Sequence, residues 1–226
     1  MKAIIIAAGE GTRWGEYLGI PKHLALVDNE PILHRTVRLL KENFVNDITV
    51  VGPDDDRYKT PYSTLYIPKI TPSYGDADKF LSSEELWNLS GKTITLFGDV
   101  FFTDAAIKTI ITTDRNCWTV FGRSKSSHIT GGKYGEIFAH SFTPNDIPKH
   151  KGSLNILVEA VRKKDAKKGS GWEHYKVMQG VRGRDIRRSK IVIDNDFIEI
   201  DDFTEDFDFP EDYNRFIQRW NARGSS

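Results

Sequence analysis

Short apolar runs recur along the chain, each closed by glycine, proline or acidic residues. They cover Ala3 to Ala8, Leu24 to Val27, Ile48 to Val51, Thr64 to Ile67, Thr93 to Phe97 and Cys117 to Phe121. Continuous runs of this length predict strands buried on both faces of a parallel sheet. Helical patterns separate them. Pro31 opens one, with Ile32, Val37, Leu39 and Leu40 on its apolar side; Ser73 to Trp87 and Asp104 to Ile111 supply others. Strands alternating with helices at this spacing predict an α/β fold: a mostly parallel sheet covered on both faces, in three layers.

After Gly122 the pattern changes. Ser124 to Gly135 is polar and glycine-rich and predicts a flexible connection. Glu136 to Phe142 predicts a strand, Asn155 to Arg162 an amphipathic helix, and Gly171 to Tyr175 is an aromatic segment. Ile191 to Ile193 and Phe197 to Ile200 predict strands. Pro210 then starts a last helix through Trp220, with acids in its first turn. Gly224 to Ser226 is a loose tail. This divides a single domain, 1–226, into a first part (1–121), a lobe (122–190) and a closing strand and helix (191–223).

With 28% charged and 38% hydrophobic residues, the chain has the balance of a soluble globular protein. Formal charge is zero, so no bulk field draws it to nucleic acid or membrane. The charge is nevertheless uneven. Arg162 to Lys190 holds eleven Lys or Arg against three acids, and Asp194 to Asp212 holds ten acids and no base. Solvated surface accounts for most of both stretches. The basic cluster lacks the interleaved aromatics of a nucleic-acid surface. No apolar run approaches the roughly 20 residues of a membrane span, and Met1-Lys2 leads straight into a strand with no signal pattern. The single cysteine, Cys117, excludes a disulfide framework. A cytoplasmic enzyme is the expectation; the oligomeric state is not readable.

The first run breaks into Gly9-Glu10-Gly11-Thr12-Arg13, and Pro21-Lys22 follows nine residues later. Glycines at a strand's end leave peptide N–H groups facing outward, which makes an anion site. Arg13 and Lys22 add fixed positive charge. The dinucleotide fingerprint needs a glycine at position 14, where Trp14 stands, and the phosphate loop ending in Gly-Lys-Ser/Thr is absent. Asp99 follows an apolar strand and Gly98. That places it at the strand's C-terminal edge, where open α/β sheets bind ligands. It suits a magnesium ion, which takes carboxylate oxygens alongside phosphate and water, or it caps the next helix. The six histidines show no zinc spacing.

Taken together, Ala7-Ala8-Gly9-x-Gly11-Thr12-Arg13 followed by Pro21-Lys22-x-Leu24 resembles the signature of the sugar-phosphate nucleotidyltransferases. The resemblance implies a GT-A-like, Rossmann-like fold with a small inserted acceptor-binding lobe. It also implies a loop, Ala7 to Arg13, that wraps the triphosphate of an NTP. Gly75-Asp76 would lie against the nucleobase. Asp208-Phe209-Pro210-Glu211-Asp212 is similar to a recurrent C-terminal pattern whose first aspartate is the second metal ligand. Asp208 is therefore paired with Asp99 on Mg2+, with Asp201 as the rival. Arg13 would bind the β/γ-phosphates and Lys22 would bridge the acceptor and α-phosphates. Trp172, His174 and Lys176 are candidate contacts to a phosphorylated small-molecule acceptor. One stretch departs from the family: Trp14 to Ile20 replaces a longer segment of Leu-Pro-Leu-Thr type. The alternatives are a GT-A glycosyltransferase, disfavoured because Val100-Phe101 follows Asp99 where Asp-x-Asp is usual, and a non-catalytic nucleotide-binding module.

Overall fold

Strand β1 (Lys2–Ile6) lies inside the sheet because it is apolar on both sides. Ala3 and Ile5 face one layer, Ile4 and Ile6 the other, and all four are at most 3% exposed. The computed structural model describes residues 1–9, 11–15, 17–69 and 75–223. After β1 come a hairpin of β2 (Leu26–Val27) and β3 (Glu30–Pro31), α1 (Ile32–Glu42), β4 (Asp47–Val51), β5 (Thr64–Tyr66) and α2 (Asp76–Leu81). The chain continues through β6 (Thr93–Phe97), β7 (Val100–Phe101), α3 (Asp104–Thr112), β8 (Thr119–Arg123) and β9 (Glu136–Phe142). It ends with α4 (Ile147–Arg162), α5 (Gly171–Met178), α6 (Asp185–Arg188), β10 (Phe197–Glu199), β11 (Glu205–Asp206) and α7 (Pro210–Arg223).

Among the described residues, seven strands form one sheet in the order β10-β8-β9-β6-β1-β4-β5. Every pairing is parallel except those of β9, which runs antiparallel to both β8 and β6. The consequence is positional. Six strands end at one edge of the sheet, and the reversed strand begins there, so its first residue, Glu136, arrives at the same edge as the end of β1. Helices α1 and α3 cover one face through Leu33, Val37, Leu40, Ile107 and Ile110. Helices α2, α4 and α5 cover the other through Phe80, Leu154, Leu157, Tyr175 and Val177. The expected three layers are present. A third cluster, including Trp14, Phe101, Phe207 and Phe216, fastens α7 to the glycine loop and β7.

Several local expectations shift. Residues 122–190 contribute β9 to the central sheet as well as helices beside it. The aromatic stretch at Gly171 is helix, started by a capping box in which Ser170 and Glu173 satisfy each other's backbone N–H groups. Helix α4 starts well before Asn155, with a proline in its first turn. The expected strand at Ile191 to Ile193 pairs with nothing and leaves all three side chains exposed. The connection 124–135 is tied down, with Ser127, Ile129 and Thr130 buried and Arg215 donating to the Thr130 carbonyl at 2.8 Å. Lys22–Leu24 is a 3-10 turn, leaving only Leu26–Val27 as strand. The expected helix start at Ser73 and the tail 224–226 lie outside the described residues. Among those described, no helix is long and apolar enough to cross a membrane.

Between the sheet and helices α4 and α5 lie three fully buried histidines, His140, His150 and His174. His174 meets Ser153 Oγ at 2.8 Å through Nε2; among the described residues its Nδ1 and both nitrogens of the other two rings have no partner. Burial lowers His140 to about 3 and holds His150 and His174 well below 6.5. Such a group binds its proton first in the unfolded chain. Its contribution to stability is therefore intact above pH 6.5 and is lost as pH falls toward the folded value. Each histidine gives a slope of about 1.4 kcal/mol per pH unit in that window, so three give up to about 4. Urea unfolding at pH 7.5, 6 and 5 should show this steep loss. His140→Leu should remove about one proton's worth of slope, and a flat profile below pH 6.5 would contradict the neutral cluster.

Candidate active site

The site forms where β1 and β6 end. Ala7 N–H donates to the Val51 carbonyl and Gly98 N–H to the Ile6 carbonyl, both at 2.8 Å, so the end of β1 is stitched to those of β4 and β6. Gly98 has to be glycine. A side chain there would begin 2.9 Å from Ala7 Cβ and 3.0 Å from the Ile6 oxygen. Its absence lets Asp99 rise directly beside the glycine loop. Gly11 closes that loop, its carbonyl accepting from Trp14 N at 2.9 Å and Gly15 N at 3.0 Å.

Trp14, standing where the dinucleotide fingerprint has glycine, anchors the loop. It is 2% exposed, donates through Nε1 to the Ile20 carbonyl at 2.8 Å, and packs edge-on against Tyr17 and Tyr213. Tyr213 lies on α7, so the loop and the C-terminal helix are locked together. That brings Arg13 into an ion pair with Asp208 and sets its guanidinium 5.6 Å from the Phe209 ring centre.

The short turn at Lys22–Leu24 buries His23 and Leu24 and so aims Lys22 inward. Lys22 pairs with Asp99, and its ammonium is 3.6 Å from Asp208. Two carboxylates separated by 109 positions (208 − 99) thus face each other across one ammonium. Burial works against the Lys22 charge, but Asp99 and then Asp208 hold its pKa above the ordinary lysine value. Burial works against Asp99 as well, yet Lys22 and, more weakly, His23 and Lys79 keep it far below the carboxylate range. Asp201, the rival ligand, is exposed, with Ile200 before it bonded to the Gly122 carbonyl at 2.7 Å.

Three further groups stand at this edge that sequence patterns did not single out. Glu136 opens the reversed strand β9. Asp206 pairs in β11 with Val100, next to Asp99. Burial and the surrounding carboxylates push both pKa values up. The third is Lys79 on α2, whose Nζ comes to within 3.7 Å of where a side chain on Gly9 would start. Asp76 holds it at 3.0 Å. Its spacing from Gly75-Asp76, one helical turn, is the signal that could have found it.

The remaining candidates divide. Gly75 has φ of 70° and packs so tightly that a side chain would start 1.9 Å from the Lys168 carbonyl oxygen. Asp76 accepts from Gly171 N at 2.9 Å, joining α2 to the start of α5. Trp172 is half-buried and donates to the Gly135 carbonyl at 2.7 Å, bracing that turn. The structure does not bring His174 and Lys176 to the site. Both point inward from α5: His174 into the histidine cluster, and Lys176 to the carbonyls of Ile186 at 3.0 Å and Ser189 at 2.6 Å. An aromatic stretch folded as helix turns these side chains to the core.

The donor set suits a hard divalent cation. Asp99 and Asp208 offer carboxylate oxygens, and magnesium needs only one or two protein carboxylates when phosphate and water complete its shell. Among the described residues no group of three or more His, Cys, Asp or Glu is arranged to hold a metal by itself.

The family model described as a MobA-like NTP transferase domain matches residues 3–125, over half of the chain. A bifunctional IPC transferase and DIPP synthase of Thermococcus kodakarensis is 46% identical over 61 residues, which span 27% of this chain and only 13% of that protein. A Bacillus anthracis protein assigned as a glucose-1-phosphate thymidylyltransferase superposes with a TM-score of 0.65 at 14% identity, over 97% of this chain and 94% of that one. The CTP:phosphocholine cytidylyltransferase of Streptococcus pneumoniae superposes with a TM-score of 0.60 at 18% identity, over 97% and 98%. At these identities the structural likeness is one of fold.

Proposed function

The chain belongs to the family of MobA-like NTP transferase domains, and from that membership we propose that it moves a nucleotidyl group from an NTP to a phosphorylated small molecule, with magnesium, releasing pyrophosphate. The observation that carries this reading is the convergence of Arg13 and Lys22, at the ends of the glycine loop, on Asp99 and Asp208.

An oxygen of the acceptor's phosphate forms a bond to the α-phosphorus. The bond from that phosphorus to the bridging oxygen of the β-phosphate breaks, and pyrophosphate leaves with the electron pair. A phosphate monoester is already largely anionic at neutral pH, so no strong general base is needed. Catalysis then rests on positioning and on fixed charge where charge develops. Backbone N–H groups around Gly9 and Gly11 hold the triphosphate, with Lys79 adding charge beside Gly9. Arg13 releases Asp208 and takes the β/γ-phosphates. Lys22 turns from Asp99 to the α- and acceptor phosphates. Asp99 and Asp208 would hold magnesium, which offsets charge on the triphosphate. Gly75 and Asp76 present the start of α2 to the base, and Trp172 stands on the acceptor side. Sugar 1-phosphates, polyol phosphates and phosphocholine are the acceptor classes this chemistry accommodates, and a reaction drawing on NTP places the enzyme in the cytoplasm.

The test is a thermal-shift screen of four NTPs with magnesium, followed by pyrophosphate release with a panel of phosphorylated acceptors. One NTP at 100 times its dissociation constant should add about 2.7 kcal/mol of stability, and EDTA should abolish most of it. Identical melting curves with every NTP at millimolar concentration would sink the reading.

A further inference from the structure

The assigned roles leave one wall of the site unexplained. A cavity of about 260 Å³ lies beside the glycine loop, with Gly9, Gly11 and Lys22 on one side and His23 and Arg57 among its other lining residues. No carboxylate lines it among the described residues. Arg57 is held rigid there by Asp55, with contacts of 3.0 and 3.1 Å from Nε and 2.6 Å from a terminal nitrogen. Lys22, Arg57 and the N–H groups of the glycine loop together suit an anionic occupant.

His23 is 2% exposed, and its Nδ1 lies 3.1 Å from the Tyr58 hydroxyl. Among the described residues its Nε2 has no partner, and it is not one of the sealed-off polar atoms; the ring borders the cavity. The hydrogen bond to Tyr58 decides where the imidazole carries its hydrogen. Tyr58 is also 2% exposed, and among the described residues its hydroxyl has no other partner. Burial pushes the phenol up to about 12, so it keeps its proton. If that proton pointed away from His23 it would be a buried, unmet donor, at a cost of about 1–3 kcal/mol. The hydroxyl therefore donates to Nδ1, and Nε2 bears the ring hydrogen.

We propose that His23 contacts the substrate, donating a hydrogen bond from Nε2 to a phosphate oxygen of the bound NTP, with Tyr58 as the residue that positions it. The assignment rests on the NTP reading above. Burial, reinforced by the nearby charges of Lys22 and Lys79, lowers His23 to about 4 despite the opposing pull of Asp99. The site thus gains a directional donor without a further cation to repel Lys22 and Lys79 before substrate arrives. A purely structural His23 would have no reason to turn this ring edge toward a cavity beside the glycine loop.

The imidazole nitrogens of the wild-type protein report on this directly. Two-bond proton–nitrogen NMR spectra at pH 7.5 should show His23 in a single tautomer, with hydrogen on Nε2 and a bare Nδ1. Inorganic tripolyphosphate, the portion common to all NTPs, should shift Nε2 and leave Nδ1 in place. Tyr58→Phe should release the ring into a mixture of tautomers. His23→Leu should weaken tripolyphosphate binding by about tenfold or more, the worth of one hydrogen bond to a charged group. His23→Gln, with an amide donor in its place, should recover part of that loss. Hydrogen on Nδ1 in the wild type, or an unmoved Nε2 when binding is saturated by thermal shift, would overturn the assignment while leaving the NTP reading standing. Failure of tripolyphosphate and of every NTP to bind would remove both.

Discussion

Replacing Lys22 by alanine is expected to cut turnover by about 10²- to 10³-fold, the loss that follows removal of one preorganised electrostatic stabiliser, worth roughly 2.7–4 kcal/mol. The loss should appear in kcat, measured as pyrophosphate release at saturating NTP and acceptor, because the role proposed for Lys22 lies where charge moves from the α-phosphate to the leaving group. Stability should fall as well, since the ammonium is paired with Asp99. The sign follows from Asp99. Its folded pKa is depressed, so the pair stabilises the fold above the unfolded value of 3.8, and that stabilisation is lost as pH falls below it. The Lys22→Ala protein should therefore melt below wild type at pH 7, and the gap should narrow under acid. Turnover within a few-fold of wild type would remove Lys22 from the chemistry.

The largest loss of stability should come from Arg123, away from the reacting atoms. Its guanidinium donates to Glu205 at 2.9 Å and to the Thr204 carbonyl at 2.6 Å; Ser127 also donates to Glu205, and all of this is sealed from solvent. Removing one partner of such a pair strands the other charge, at a cost of about 3–5 kcal/mol. Urea unfolding of Arg123→Ala should show this. The double variant Arg123→Ala, Glu205→Gln should be less damaged than the sum of the two singles, because the stranded carboxylate is gone. Equal unfolding midpoints for wild type and Arg123→Ala would rule out the network as a determinant of stability. Glu205 precedes Asp206 and Asp208, so the same network sets the acidic side of the site.

What the sequence reveals and what it hides follow a physical division. The glycine loop and Asp99 are legible because each follows an apolar strand, and strand ends in a parallel sheet converge on one edge; Lys22 is legible through Pro21-Lys22 alone, in a 3-10 turn. Asp208 is legible through the run Asp208-Phe209-Pro210 at a helix mouth, where the flanking phenylalanines differ in fate: Phe207 is buried and Phe209 is exposed. Glu136 and Asp206 are hidden because their position depends on sheet order. Only the insertion of β9 in reverse between β8 and β6 carries Glu136 to the ligand edge. Lys79 is marked only by its spacing, one helical turn after Gly75-Asp76, and that mark gains meaning only once α2 is placed beside the glycine loop. His174 and Lys176 were misplaced for a local reason: Ser170 and Glu173 spell a helix start, and a helix at that point buries both side chains.

The fastening of Trp14 to Tyr213 also orders events during synthesis. A ribosome reads out the glycine loop, Lys22 and Asp99 well before Asp208 and the helix that covers Trp14. Until then the nascent chain has its anion loop and one carboxylate, with an uncovered tryptophan and no partner for Arg13. Closure of the C-terminal helix both finishes the hydrophobic interior around Trp14 and delivers the second acid. Docking of α7 therefore completes the interior around Trp14 and the pair of carboxylates together, and protease clipping ahead of Glu205 would leave a chain lacking both.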